Sequence, residues 1–142
     1  MKVIAVHHIG IAVRNLEESL ARWEALFGVN AGPLEELPER GVRLVHLCFS
    51  EGPAIELVSP LGPESPVARF LETRGEGIHH FTLEVEDIEG VMEHLKKAGL
   101  QFTEDRPREG AGGSRIAFVQ PKTFHGVLLE LRERPAKPPD HA

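Results

Sequence analysis

Cysteine is almost missing from this chain of 142 residues: Cys48 is the only one. No intrachain disulfide can form, and a zinc site built on cysteines is excluded. Cys48 itself reads as a small buried hydrophobe. No apolar run comes near the ~20 residues that cross a bilayer as a helix. The opening residues Met1, Lys2, Val3 and Ile4 enter a strand-like pattern at once, without the charged, apolar and small-residue regions of a secretion signal. A cytoplasmic protein with no membrane partner is therefore expected. A surplus of positive charge is also lacking. The formal net charge is −6, so nothing draws the chain to phosphate backbones in general, and nucleic acid is not an expected partner. What is present is ordinary globular material, 41% hydrophobic and 27% charged, at the length of one domain.

The chain repeats itself. His7-His8-Ile9-Gly10-Ile11-Ala12-Val13-Arg14-Asn15-Leu16-Glu17 matches His79-His80-Phe81-Thr82-Leu83-Glu84-Val85-Glu86-Asp87-Ile88-Glu89 at an offset of 72 (80 − 8). A helix follows each copy. In the first, Asn15 is the N-cap, Leu16, Leu20, Trp23, Leu26 and Phe27 recur at helical spacing, and Gly28 ends the run. In the second, Asp87 caps, Ile88, Val91, Leu95 and Ala98 form the stripe, and Gly99 ends it. The copies also finish alike: Ile55-Glu56-Leu57 resembles Leu129-Glu130-Leu131, at an offset of 74 (130 − 56). Between helix and last strand each half has room for two further strands, near 31–37 and 42–49 in the first and near 101–104 and 114–119 in the second.

Each module thus reads strand–helix–strand–strand–strand. The predicted fold class is α+β, with two paired βαβββ modules in a curved mixed sheet and the helices outside. Module one covers 3–58, a proline-rich linker and short helix opened by Ser65-Pro66 cover 59–75, and module two covers 76–132. Residues 1–133 form one domain, and 133–142 read as a disordered tail.

Alternation along the strands sorts the side chains by face. His7, Ile9, Ile11 and Val13 form one row and should pack beneath a helix, as should His79, Phe81, Leu83 and Val85. The more polar rows, carrying His8 and His80, are left for the concave face. Glu56 and Glu130 each stand amid apolar residues, which is costly for a carboxylate unless it is paired, hydrogen-bonded or metal-bound. Two such carboxylates and two such histidines at equivalent points of two copies have one economical explanation: they converge on one cation. His8, Glu56, His80 and Glu130 are the predicted ligands, and the set suits Zn, Co, Mn, Ni or Fe(II). His7 and His79 are expected to be structural, Glu84 to sit at the rim, and His46 to be able to face the cavity. His94, His125 and His141 carry no functional signal.

On these residues the chain resembles the vicinal oxygen chelate (glyoxalase–bleomycin resistance) superfamily, and within it the methylmalonyl-CoA epimerase family. The family-like stretches include His8-Ile9-Gly10-Ile11-Ala12-Val13, Ile55-Glu56-Leu57-Val58-Ser59-Pro60-Leu61, Gly77-Ile78-His79-His80, Gly110-Ala111-Gly112-Gly113, and Pro121-Lys122 with Gly126-Val127-Leu128-Leu129-Glu130-Leu131. The resemblance implies a homodimer, one divalent ion per subunit (Co2+ first, then Mn2+, Zn2+ or Ni2+) on those four ligands, and an acyl-CoA substrate. The implied reaction interconverts (2R)- and (2S)-methylmalonyl-CoA through a metal-stabilised enolate. Glu130 is the expected base. Glu56, a metal-bound water or His46 is the candidate group on the other face. Gly112, Gly113, Ser114, Arg115 and Lys122 are expected around the CoA part, with Arg106 and Arg108 nearby.

The chain departs from the family at two positions. Leu44 stands where some members carry a second carboxylate, and Gln120 stands where a His commonly precedes the Pro-Lys pair. Two other activities fit the same scaffold: a glyoxalase-type isomerase of a glutathione adduct, and a non-catalytic small-molecule-binding dimer. An extradiol dioxygenase is disfavoured, because a fourth protein ligand leaves too few open positions.

Overall fold

The computed structural model describes residues 2–135. Strand β1 (Lys2–Ala12) leads through the Asn15 cap into helix α1 (Leu16–Phe27). The Asn15 side chain accepts the Glu18 N–H at 2.9 Å, and Gly28 closes the helix in the left-handed region at φ 62°, where a side chain would be strained. Strands β2 (Asn30–Ala31), β3 (Glu35–Leu37), β4 (Val42–Cys48) and β5 (Ala54–Pro60) follow. Helix α2 (Pro66–Arg74), capped by Ser65, crosses to the second half. That half runs β6 (Gly77–Glu86), α3 (Ile88–Lys97), β7 (Arg108–Glu109), β8 (Arg115–Val119) and β9 (Leu129–Glu133).

The strands form one curled mixed sheet in the order β2-β4-β5-β1-β6-β9-β8-β7, with β3 also on β4. The duplication is explicit in this order. β1 is flanked by its parallel partner β5 and β6 by its parallel partner β9, and the two halves join where β1 runs antiparallel to β6. The helices cover the outside. α1 packs Leu16, Leu20 and Trp23 on Val13, Val45, Leu47 and Leu57. α3 packs Ile88, Val91 and Met92 on Val85, Ala117 and Leu131.

Several expectations need correcting. The strand foreseen at 31–37 is two short pieces, β2 and β3, each paired with β4. The strand foreseen at 101–104 is reduced to a single bridge, Phe102 to Val119, and β7 forms later instead. Leu26 and Phe27, counted in the α1 stripe, are exposed at the C-terminal end of that helix, and Ala98 is exposed just past the end of α3. Cys48 is exposed, not buried: it is the last residue of β4 and opens onto the concave face. Glu133, placed in the tail, belongs to β9 and accepts the Ile88 N–H, and the Arg134 N–H reaches the Val85 carbonyl. The rest of the tail expectation, 136–142, lies outside the described residues. No helix among the described residues is long and apolar enough to cross a membrane.

Leu57 and Leu131 are both at most 1% exposed and follow Glu56 and Glu130 in the two copies. Truncating either to Ala removes the same layer of packing from opposite halves. Each variant should lose about 2–5 kcal/mol in denaturant unfolding, and the two losses should be alike. A large loss from one and none from the other would show that the halves do not share one cooperative core.

Candidate metal centre

Four strands deliver the polar side chains through two cross-strand rows. In one, His46 on β4 faces Glu56 on β5, Glu56 faces Gly10 on β1, and Gly10 faces His80 on β6. In the other, His8 on β1 faces Thr82 on β6, Thr82 faces Glu130 on β9, and Glu130 faces Phe118 on β8. The rows are images of each other under the internal repeat, which carries His8 onto His80, Gly10 onto Thr82 and His46 onto Phe118.

The four predicted ligands meet. His8 Nε2 lies 3.2 Å from His80 Nε2 and 3.1 Å from a Glu56 oxygen. His80 Nε2 lies 3.4 Å from a Glu56 oxygen and 3.4 Å from Glu130 Oε1, which is 3.7 Å from His8 Nε2. All four residues are buried. Ligand atoms of His8, Glu56 and His80 lie within 4.8 Å of one another. Glu130 touches both imidazoles but turns Oε1 toward the Thr82 hydroxyl, which donates to it at 2.7 Å. Two buried carboxylates around two imidazole Nε2 atoms make a donor set that fits a divalent cation.

The electrostatics agree with that reading. Burial alone would push the Glu56 carboxyl up, but hydrogen bonds from His46, His8 and His80 outweigh it and hold the group well below the usual range. Burial opposes charge on His80, yet Glu56 and then Glu130 raise it above an ordinary imidazole. The centre is a cation-seeking one.

Three residues of the site are not where alternation along the strands puts them, or escape notice altogether. His7 and His79, assigned to packing, touch the ligands: His7 Nδ1 is 2.8 Å from His8 Nδ1, and His79 Nδ1 is 2.9 Å from His80 Nδ1. The cause is a pair of β-bulges. The β1–β6 register skips His7 between Val6 and His8, and skips His79 between His80 and Ile78. An unpaired bulge residue is re-aimed, so strict alternation misplaces His7; His79 keeps the expected packing as well, its ring 5.0 Å from that of Phe70 on α2. For His8 and His80 to present an Nε2 lone pair, their Nδ1 atoms must carry the proton, and His7 and His79 are placed to accept it. The third residue is Thr82, fully buried, which fixes Glu130. The signal for it was its place in the polar row of β6. His46 does face the cavity, its Nε2 2.9 Å from Glu56.

The centre opens into a cavity of about 420 Å³ lined by residues that include His7, His46, Cys48, Gly112, Ser114 and Arg132. Of the positions expected around the substrate, Gly112 and Ser114 lie on its wall; Gly113, Arg115 and Lys122 do not line it. Arg115 alternates away from the cavity, and its guanidinium is held by Glu89 at 2.8 Å and Glu133 at 3.0 Å, which leaves it little to offer a phosphate. Arg108 is taken up by Glu104.

Two predictions arise from this geometry. A Cβ on Gly10 would stand 2.1 Å from His80 Cε1, so Gly10→Ala must displace that ring. Cobalt affinity, read by titration calorimetry, should fall by about 10-fold or more; unchanged affinity would take His80 out of the ligand set. The second prediction concerns pH. Burial, then Arg132 and His8, lower His7 from 6.5 to about 4, and burial, then His80, lowers His79 likewise. Between those values the unfolded chain binds protons that the folded chain refuses, so stability is full above pH 6.5 and declines toward pH 4. In chelator-treated protein the melting temperature should fall across that window, and less steeply in His79→Phe. Parallel curves would remove His79 as a cause.

Residues 7–118 match the Glyoxalase/Bleomycin resistance protein/Dioxygenase superfamily. The ethylmalonyl-CoA/methylmalonyl-CoA epimerase of Cereibacter sphaeroides is 38% identical over 130 residues, covering 90% of this chain and 96% of that protein. The human mitochondrial methylmalonyl-CoA epimerase is 34% identical, over 90% of this chain and 73% of its own length. Among solved structures, a methylmalonyl-CoA epimerase in complex with methylmalonyl-CoA and NH4+ superposes with a TM-score of 0.91 at 31% identity, covering 95% of this chain and 97% of the other. The Mycobacterium tuberculosis methylmalonyl-CoA epimerase gives 0.90 at 31% identity, covering 94% and 90%.

Proposed function

Because the chain belongs to the Glyoxalase/Bleomycin resistance protein/Dioxygenase superfamily, and because its buried centre joins two imidazoles to two carboxylates, we propose that it is a divalent-metal-dependent epimerase of (2R)- and (2S)-methylmalonyl-CoA. The single observation that carries this reading is the placement of the carboxylates. Glu56 comes from β5 and Glu130 from β9, on opposite sides of the β1–β6 pair that holds the histidines. Inverting C2 requires a proton to leave one face and another to arrive at the opposite face, and two flanking carboxylates meet that need. The relatives named for this reaction support the substrate.

His8, Glu56, His80 and Glu130 would hold the ion, cobalt by preference. It would supply a Lewis acid to the thioester and carboxylate oxygens, worth several kcal/mol of barrier. The remaining work belongs to the chain. Thr82 pins Glu130 through Oε1, leaving Oε2 to take the C2 proton. Glu56 is hydrogen-bonded to His46, which faces the cavity and links that carboxylate to solvent. Leu44 has no group that could accept a proton, and it is core: 1% exposed, in an apolar cluster with Ala12, Val42 and Val58. Glu56 takes that part here. The CoA arm leaves past Gly112 and Ser114, whose hydroxyl donates to the Ala111 carbonyl and fixes the loop. The enzyme is cytoplasmic and homodimeric in this reading. Val3, Val6, Ile78 and Phe81 of β1 and β6 are exposed apolar surface that a second subunit would cover.

Glu130→Gln should keep its ion and lose exchange of the C2 proton with D₂O by about 10²–10⁴-fold, followed by NMR. Full exchange in a variant that still holds metal would remove Glu130 as the base.

A further inference from the structure

Arginines lining the cavity are the cations available to a substrate there, and there are two, Arg40 and Arg132. They are not equivalent. Arg132 faces Glu84 across the β6–β9 ladder, but Arg134 holds that carboxylate, and what sets Arg40 apart is the aromatic ring beneath it. Arg40 ends the short 3₁₀ turn Pro38–Arg40 between β3 and β4. Among the described residues no carboxylate lies within ion-pair distance of it, whereas Arg43, Arg108, Arg115 and Arg134 are all so paired. Its guanidinium lies over the Phe118 ring, 5.3 Å from the centroid, and the residue is half-buried. A guanidinium over an aromatic ring is partly dehydrated, yet donors that turn away from the ring stay free for a planar anion.

The position of that ring matters. Phe118 is the cross-strand partner of Glu130, and its ring lies 6.4 Å from the His80 ring. Arg40 is therefore one aromatic ring away from the centre where C2 must react. It also borders a second cavity of about 360 Å³, lined by apolar residues such as Val42, Val67, Phe118 and Leu128. A preorganised, unpaired guanidinium this near the reacting carbon matches an anion attached directly to that carbon. The phosphates of CoA are a whole pantetheine arm away.

We propose that Arg40 binds the substrate carboxylate through the oxygen that is not turned to the ion, and makes the site selective for 2-carboxyacyl thioesters over plain acyl thioesters. This rests on the epimerase reading for the substrate class but concerns a residue outside the proposed ligands and bases. Arg40→Gln and Arg40→Lys, each checked for unchanged cobalt content, are to be titrated with methylmalonyl-CoA, propionyl-CoA and free methylmalonate. The wild type should prefer methylmalonyl-CoA to propionyl-CoA. Arg40→Gln should lose about 10–100-fold for methylmalonyl-CoA and for methylmalonate, with propionyl-CoA unchanged; Arg40→Lys should fall between. Equal weakening toward both thioesters would place Arg40 on the CoA moiety and overturn the proposal, as would no change toward any ligand. Turnover of methylmalonyl-CoA by the wild type is a separate readout. If turnover is absent while methylmalonate binding still depends on Arg40, the epimerase reading fails and the carboxylate site stands. If turnover is present and the preference survives in Arg40→Gln, the reverse holds.

Discussion

Two carboxylates and two imidazoles are held out of water against one another at the seam of this sheet, and the rest of the architecture is arranged to make that tolerable. An unpaired buried carboxylate costs several kcal/mol. Here each is met by imidazole nitrogens, and Glu130 also by the Thr82 hydroxyl. The apolar clusters beneath α1 and α3 form the solid backing that keeps those strands in register. Without that backing the donors would have no reason to share one point.

The duplication supplies the convergence, and small departures from it supply the chemistry. Glycine at 10 leaves room for the His80 ring, while its counterpart Thr82 hydrogen-bonds Glu130. His46 polarises Glu56, while its counterpart Phe118 gives Arg40 a flat surface. A symmetric centre would treat both faces of a substrate alike; this one has a polar wall and an aromatic wall. The two walls therefore offer a bound molecule different contacts, hydrogen bonds on one side and an aromatic face on the other.

Much of this is legible in the sequence because a repeat constrains two places at once. Two repeated segments, at offsets of 72 and 74, single out His8, His80, Glu56 and Glu130 and give the module order, and helix caps at Asn15 and Asp87 fix where each helix begins. What escapes is whatever depends on register. Bulges at His7 and His79 carry no compositional mark, so alternation puts His7 under a helix when it lines the cavity, and misses the contact of His79 with His80, although His79 does pack on Phe70 of α2. Arg115 looks available for phosphate until α3 brings Glu89 beside it. Cys48 looks like core until β4 is seen to end there. Arg40, in a turn with no periodicity, stands out only once its neighbours are known.

The donors are drawn from residues 8, 56, 80 and 130, almost the full span of the described chain. Ribosomal synthesis delivers His8 well before Glu130, whatever else the polypeptide carries. The four-donor set is thereby complete only once β9 has been made, whereas His8, Glu56 and His80 are available as a trio before it.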